Sequence, residues 1–150
     1  MPQALIIFTS LTGNTEQCTD ILAEALESHG IDVEIHDVMQ ADPQDFLDFD
    51  ITIVGTYTYG VDGVLPDEML DFYDELNELD LTGKIFGVFG SGDTFYEGYF
   101  CKAVDTFEQA FTQIGATKGG ESVKVNLNPE DEDIEALEQL AASIAEHFNN

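Results

Sequence analysis

Short apolar runs alternate along this chain with segments whose apolar residues recur every three to four positions. Ala4–Phe8 (ALIIF), Ile51–Gly55 (ITIVG) and Ile85–Phe89 (IFGVF) are nearly continuous in apolar residues. They predict strands buried on both faces, as in the middle of a parallel sheet. Val33–Asp37 (VEIHD) alternates and predicts a less buried strand. Cys18, Ile21, Leu22, Ala25 and Leu26 recur at helical spacing behind Asn14–Thr15, with Gly30 as the stop. Met69, Phe72, Tyr73 and Leu76 form a second helical stripe after Pro66, and Val104, Phe107, Phe111 and Ile114 a third, ended by Gly115. A fifth strand is expected to be split over Ala116–Val125, with Gly119–Gly120 inside it. Ile134, Leu137, Ala141, Ile144, Ala145 and Phe148 then make a closing helix. Pro129 and the acids Glu130–Asp133 open it, as suits the positive end of a helix dipole.

Strand and helix in strict alternation predict βαβ units. Right-handed crossovers fold these into an α/β, three-layer doubly wound sandwich with a five-stranded parallel sheet. The 150 residues, 43% of them hydrophobic, suffice for one domain spanning 1–150 with one sheet and two covering layers. In such sheets ligands sit at the carboxyl ends of the strands, where the strand order reverses. Chemistry is therefore expected in the loops after the first, third and fourth strands.

Charge narrows the choice of partner. There are 31 acids against four lysines (Lys84, Lys102, Lys118, Lys124), for a formal charge of −27. Such a surface repels nucleic acid and anionic lipid and suits basic partner proteins, or a salt-tolerant solvated surface. No stretch approaches the ~20 apolar residues of a membrane span, and no basic patch precedes Ala4–Phe8, so a cytoplasmic protein is expected. Cys18 and Cys101 lie far apart and read as core or pocket residues, and His29, His36 and His147 show no metal-ligand spacing.

The first loop, Ser10-Leu11-Thr12-Gly13-Asn14-Thr15, matches neither the GxGxxG fingerprint nor the GxxxxGK[ST] loop. It offers three hydroxyls, an amide and backbone N–H groups at a helix N-terminus. That set can hold a phosphate with neutral dipoles. An ordinary N-cap needs one such residue, not several in succession. The second loop runs Thr56-Tyr57-Thr58-Tyr59-Gly60-Val61-Asp62-Gly63. The third runs Ser91-Gly92-Asp93-Thr94-Phe95-Tyr96, with Tyr99-Phe100-Cys101 behind it. Tyrosines among glycines at one sheet edge suit a flat ring held between aromatic faces.

With SLTGNT, TYTYG…LPDE and GSGDTFY…FCKAVD at these spacings, the chain resembles the flavodoxins of the short-chain type from Ala4 to Phe148. Flavodoxin is itself a standard example of the strand-reversal rule, so rule and resemblance are one argument here. The resemblance implies strand order 2-1-3-4-5 and a low-potential one-electron carrier with non-covalent FMN. Ser10, Leu11, Thr12, Gly13, Asn14 and Thr15 would wrap the phosphate. Tyr59 and Tyr96 would take the two ring faces. Thr56, Tyr57, Thr58, Gly60, Ser91, Gly92, Asp93, Phe100 and Cys101 would complete the cofactor site. The Gly60–Val61 peptide is the candidate carbonyl for flavin N5–H. Tyr59 stands where many relatives carry Trp, and Val61 where many carry an acid. The expected partners are redox proteins with basic surfaces, met by a monomer.

Eight acids and no base lie between Asp62 and Asp80. Each carboxylate ~10 Å from an added negative charge costs roughly 0.4 kcal/mol in a water-like dielectric. An FMN-dependent reductase on the same fold is the alternative. A phospho-acceptor domain is disfavoured, because Phe8-Thr9-Ser10 stands where its acids would be.

Overall fold

A computed structural model describes residues 2–10, 13–58, 65–92 and 101–148. The elements in order are β1 (Gln3–Phe8), α1 (Asn14–Ser28), β2 (Asp32–Asp37), β3 (Ile51–Tyr57), α2 (Asp67–Leu76), β4 (Ile85–Gly92), α3 (Lys102–Gln113), β5 (Thr117–Lys118), β6 (Val123–Asn126) and α4 (Asp131–Glu146). The strands pair in parallel in the order β2-β1-β3-β4-β5, with β6 also on β4. The order reverses between β1 and β3, so those two strand ends flank a crevice.

Alternation along each central strand explains the two cores. Ala4, Ile6, Ile51, Ile53 and Phe89 face α1 and α4, while Leu5, Ile7, Val54, Phe86 and Val88 face α2 and α3. Both faces are covered, which is why these strands read as continuous apolar runs. β2 lies at the sheet edge with no residue fully buried, in keeping with its mixed sequence.

Between β2 and β3 the chain makes two short 3₁₀ turns, Val38–Gln40 and Pro43–Asp48, that periodicity does not reveal. The second is closed by a capping box in which the Gln44 N–H donates to Asp42 and the Asp42 N–H to Asp45, at 2.9 and 3.1 Å. It delivers Phe46 into the α2–α3 core, against Phe72 and Phe111.

One expectation needs correcting. β3 and β4 run past their apolar stretches to Tyr57 and Gly92, because the ladder continues through Thr56↔Gly90 and Tyr57↔Ser91. Thr56, Tyr57, Ser91 and Gly92 are therefore strand residues, not loop residues. The fifth strand is split as expected, into β5 beside Ile85–Phe86 and β6 beside Phe89–Gly92, the latter ending one residue later at Asn126. Gly119 lies between them because α4 presses on the sheet there. A Cβ at Gly119 would come within 2.7 Å of Ile144 and Ile85.

Gly90 has a similar constraint at the other end of β4, where an added Cβ would fall on the Thr56 carbonyl oxygen and within 2.6 Å of Val104. Backbone cannot give way as a flexible side chain does. Gly90→Ala should lower the urea midpoint by the equivalent of ~1–3 kcal/mol, with an unchanged m-value.

Candidate functional site

The carboxyl ends of β1, β3, β4 and β6 meet at one edge of the sheet, and side chains tie them to one another. At the end of β1, Ser10 Oγ accepts the N–H groups of Gly13 and Glu16 at 3.0 and 3.3 Å. Gly13 is the N-cap of α1, with φ of 91° and no heavy atom near where a Cβ would lie. Glycine adopts that left-handed turn without steric cost. The helix N-terminus thus opens on an oxygen supplied from the preceding strand end, and Asn14 is the first helical residue rather than the cap.

Thr15 is fully buried, and its hydroxyl lies 2.7 Å from Ser91 Oγ. This pair bolts the start of α1 to the end of β4. Its side chain therefore faces Ser91 within the molecule. Thr58 joins the third element. Its N–H donates to the Ser91 carbonyl at 3.1 Å, and its hydroxyl accepts the N–H of Ala103 at 3.1 Å. Cys101, the N-cap of α3, supplies no side-chain bond, so Thr58 satisfies a first-turn amide from another element. Thr56 is buried with its hydroxyl on the Tyr57 carbonyl at 3.0 Å. Gly92 is half-buried and its carbonyl accepts the Leu127 N–H at 2.8 Å.

Cys101 is fully buried, its thiol 3.8 Å from the carbonyls of Gly90 and Val125. Burial pushes its pKa up to about 12. The thiol points into the core rather than toward solvent. Leu11, Thr12, Tyr59, Gly60, Asp93, Tyr96 and Phe100 lie outside the described residues.

One bridge was invisible in the sequence. Glu68, in the first turn of α2, accepts the Tyr57 hydroxyl at 2.6 Å and the Thr9 hydroxyl at 2.8 Å through the same oxygen. It thereby joins the ends of β1 and β3 across the crevice. Partial burial acts to raise the pKa of this carboxyl. The bonds from Tyr57, its own backbone N–H and Thr9 outweigh that and hold it below the ordinary value. Composition grouped Glu68 with seven other acids. Only its place at the second position of α2, facing the strand ends, distinguishes it.

Beside this bridge opens a cleft of about 570 Å³ lined by Thr9, Ser10, Asp37, Met39, Asp67, Glu68 and Asp71. Four acids and no base line it. Within this cleft, an anion would meet neutral hydroxyl and amide donors against a negative field.

Known proteins resemble this chain over nearly its whole length. The family model described as Flavodoxin matches residues 6–140. "Probable flavodoxin 2" of Bacillus subtilis (strain 168) is 43% identical over 138 residues, covering 91% of this chain and 90% of its own. The solved flavodoxin of Streptococcus pneumonia TIGR4 superposes with a TM-score of 0.94 at 56% identity, over 97% of this chain and 99% of that one. A short-chain flavodoxin associated with a PDU bacterial microcompartment superposes with a TM-score of 0.96 at 42% identity, over 99% of this chain and all of the other.

Glu68→Gln keeps an acceptor oxygen and removes the charge. A depressed carboxyl pKa contributes stability that is complete above the unfolded value and is lost as pH falls through the folded one. Wild type should exceed the variant by about 1–2 kcal/mol at neutral pH. The difference should shrink once pH drops below the ordinary value of 4.5. Urea titrations at several pH values measure it, and a pH-independent difference would mean that Glu68 acts by shape alone.

Proposed function

Because this chain belongs to the flavodoxin family, FMN-binding electron carriers rather than enzymes, we propose that the edge described above holds FMN non-covalently in a low-potential one-electron carrier. The observation that carries the reading is the convergence of Ser10, Gly13, Thr58, Ser91 and Gly92 at one sheet edge with no lysine among them. FMN supplies the redox chemistry, taking up and releasing electrons one at a time.

The residues fit that cofactor. The N–H groups of Gly13 and Glu16 already converge on one oxygen, that of Ser10. A phosphate oxygen is a stronger acceptor of the same kind. Leu11, Thr12, Asn14 and Thr15 would complete the phosphate loop. Thr56, Tyr57 and Thr58, with Ser91, Gly92 and Asp93, would line the ribityl and ring portions. Tyr59 and Tyr96 would bracket the ring, with Gly60, Phe100 and the main chain of Cys101 beside them.

The acid field has two consequences. Asp67, Asp71, Asp74 and Glu75 are exposed along α2, next to the end of β3. Added negative charge on the cofactor is disfavoured there, which makes the reduced state a strong donor. The same charges steer basic redox partners toward this edge. Cys18 and Cys101 are free and buried, as a reducing compartment allows. No helix among the described residues is long and apolar enough to cross a membrane. We place the carrier in the cytoplasm as a monomer.

Two measurements test this. FMN should bind at least about tenfold more tightly than riboflavin, the worth of one hydrogen bond to a charged group. Ser10→Ala should weaken FMN and leave riboflavin unchanged, and equal affinities for the two flavins would sink the phosphate-loop assignment. For docking, Asp67, Asp71 and Asp74 should be changed together to Asn, sparing Glu68 because of its structural bridge. Electron transfer to cytochrome c should slow several-fold, and its dependence on salt should flatten as the Debye length falls to about 8 Å at 0.15 M. Removing Glu135, Glu138 and Glu146, exposed on α4, should leave the rate nearly unchanged. Equal slowing per charge removed would mean that net charge alone matters.

A further inference from the structure

Among the described residues, two other than glycine have positive φ: Cys101 at 51° and Leu127 at 59°. Cys101 is fully buried at the N-cap of α3, so it presents no side chain to a partner. Leu127 is different. It is 48% exposed and follows β6 directly. Asn126 pairs with Gly92 in register, and the Leu127 N–H donates to the Gly92 carbonyl at 2.8 Å. Leu127 therefore stands on the carboxyl edge, against the strand end from which the third site loop departs.

A left-handed backbone crowds the Cβ of leucine, whereas glycine or asparagine adopts it readily. Asparagines stand on both sides, at Asn126 and Asn128, yet the strained position itself carries leucine. The side chain is not there to fill the core, being half in solvent. Around it the surface is acidic, with Glu130, Asp131 and Glu132 all exposed at the start of α4. Strain retained at a functional edge calls for a role for the group it presents.

We propose that Leu127 is the short-range apolar contact by which a redox partner seats on this edge. The proposal rests on the electron-carrier reading above. The partner it fits is a protein with a small apolar spot ringed by Lys and Arg. The acids around Leu127 attract that ring from a distance, but long-range charge leaves the final orientation loose. A desolvated apolar contact fixes the orientation and brings the two redox centres together. The bond to Gly92 holds the leucine in a set position relative to the end of β4.

The matched control is Leu47, also 48% exposed. Its carbonyl accepts Lys84 Nζ at 3.1 Å, which places it at the opposite, amino edge of the sheet beside the start of β4. FMN-loaded wild type, Leu127→Asn, Leu127→Met and Leu47→Asn would each be photoreduced and mixed with ferric cytochrome c, at low salt and at high salt. One electron leaves the flavin and one ferric haem becomes ferrous. Leu127→Asn should lower the second-order rate by about 3–10-fold at both salt concentrations, the worth of burying roughly half a leucine. Leu127→Met and Leu47→Asn should stay close to wild type. FMN affinity and both midpoint potentials should be unchanged in Leu127→Asn. Equal rates for Leu127→Asn and Leu47→Asn would overturn the proposal. So would weaker FMN binding or a shifted potential, because Leu127 would then brace the site. A wild-type dimer that Leu127→Asn dissociates would also overturn it, by making a second copy the occupant. If wild type takes up no FMN or fails to reduce cytochrome c, the electron-carrier reading falls first. A wild type that reduces normally while Leu127→Asn matches it overturns only the role given to Leu127.

Discussion

The buried hydrogen bond between Thr15 and Ser91, 2.7 Å long, sets the geometry on which the rest of the site depends. A parallel sheet covered on both faces can meet a ligand only at its strand ends, and those ends belong to elements with separate chain paths. Something must hold them in register. Thr15–Ser91 joins α1 to β4, Thr58 joins β3 to β4 and α3, and Glu68 joins β1 to β3 through α2. Each link also satisfies a polar group that burial would otherwise leave without a partner. Bracing the edge and satisfying its buried groups are one and the same arrangement.

That economy matters because the edge lies in a strongly negative field. The chain carries a net charge of −27, and three of its four lysines are engaged away from this edge. Lys84 donates to the carbonyls of Leu47 and Phe49 near the amino edge. Lys118 and Lys124 pair with Glu108 and Asp105 at 2.7 and 2.8 Å on the flank of α3. Neutral donors held rigidly can bind an anion without cancelling the surrounding charge. On the proposed reading, that field would disfavour further electrons on the cofactor and attract basic partners. Self-repulsion is the cost, and salt relieves it.

Two residues illustrate how the same surface serves different ends. Glu68 belongs by composition to the acid belt of α2, yet its carboxylate works inward as the shared acceptor of Thr9 and Tyr57. Leu127 belongs by composition to the apolar set, yet it stands outward on a left-handed turn. In both cases residue type points the wrong way, and position relative to the strand ends decides the role.

The sequence by itself determined what depends on local period and on chemistry at short spacing. Continuous runs such as Ala4–Phe8 and Ile51–Gly55 marked central strands, because burial on both faces leaves no polar alternation to break them. The four helical stripes emerged for the same reason, since one face of each must meet the sheet. The hydroxyl-rich Ser10–Thr15 segment was legible because its residues are neighbours in the chain. Tertiary structure alone decided the rest. Phe46 enters the core from a 3₁₀ turn too short to show a period. Strands β3 and β4 continue into polar residues because their ladder pairs across to each other, which no single segment encodes. Thr15 and Ser91 are separated by 76 residues, Thr9 and Glu68 by 59, and Ala103 and Thr58 by 45. Contacts at such separations leave no periodic trace in the chain, because the partners become neighbours only when the sheet brings its strand ends together.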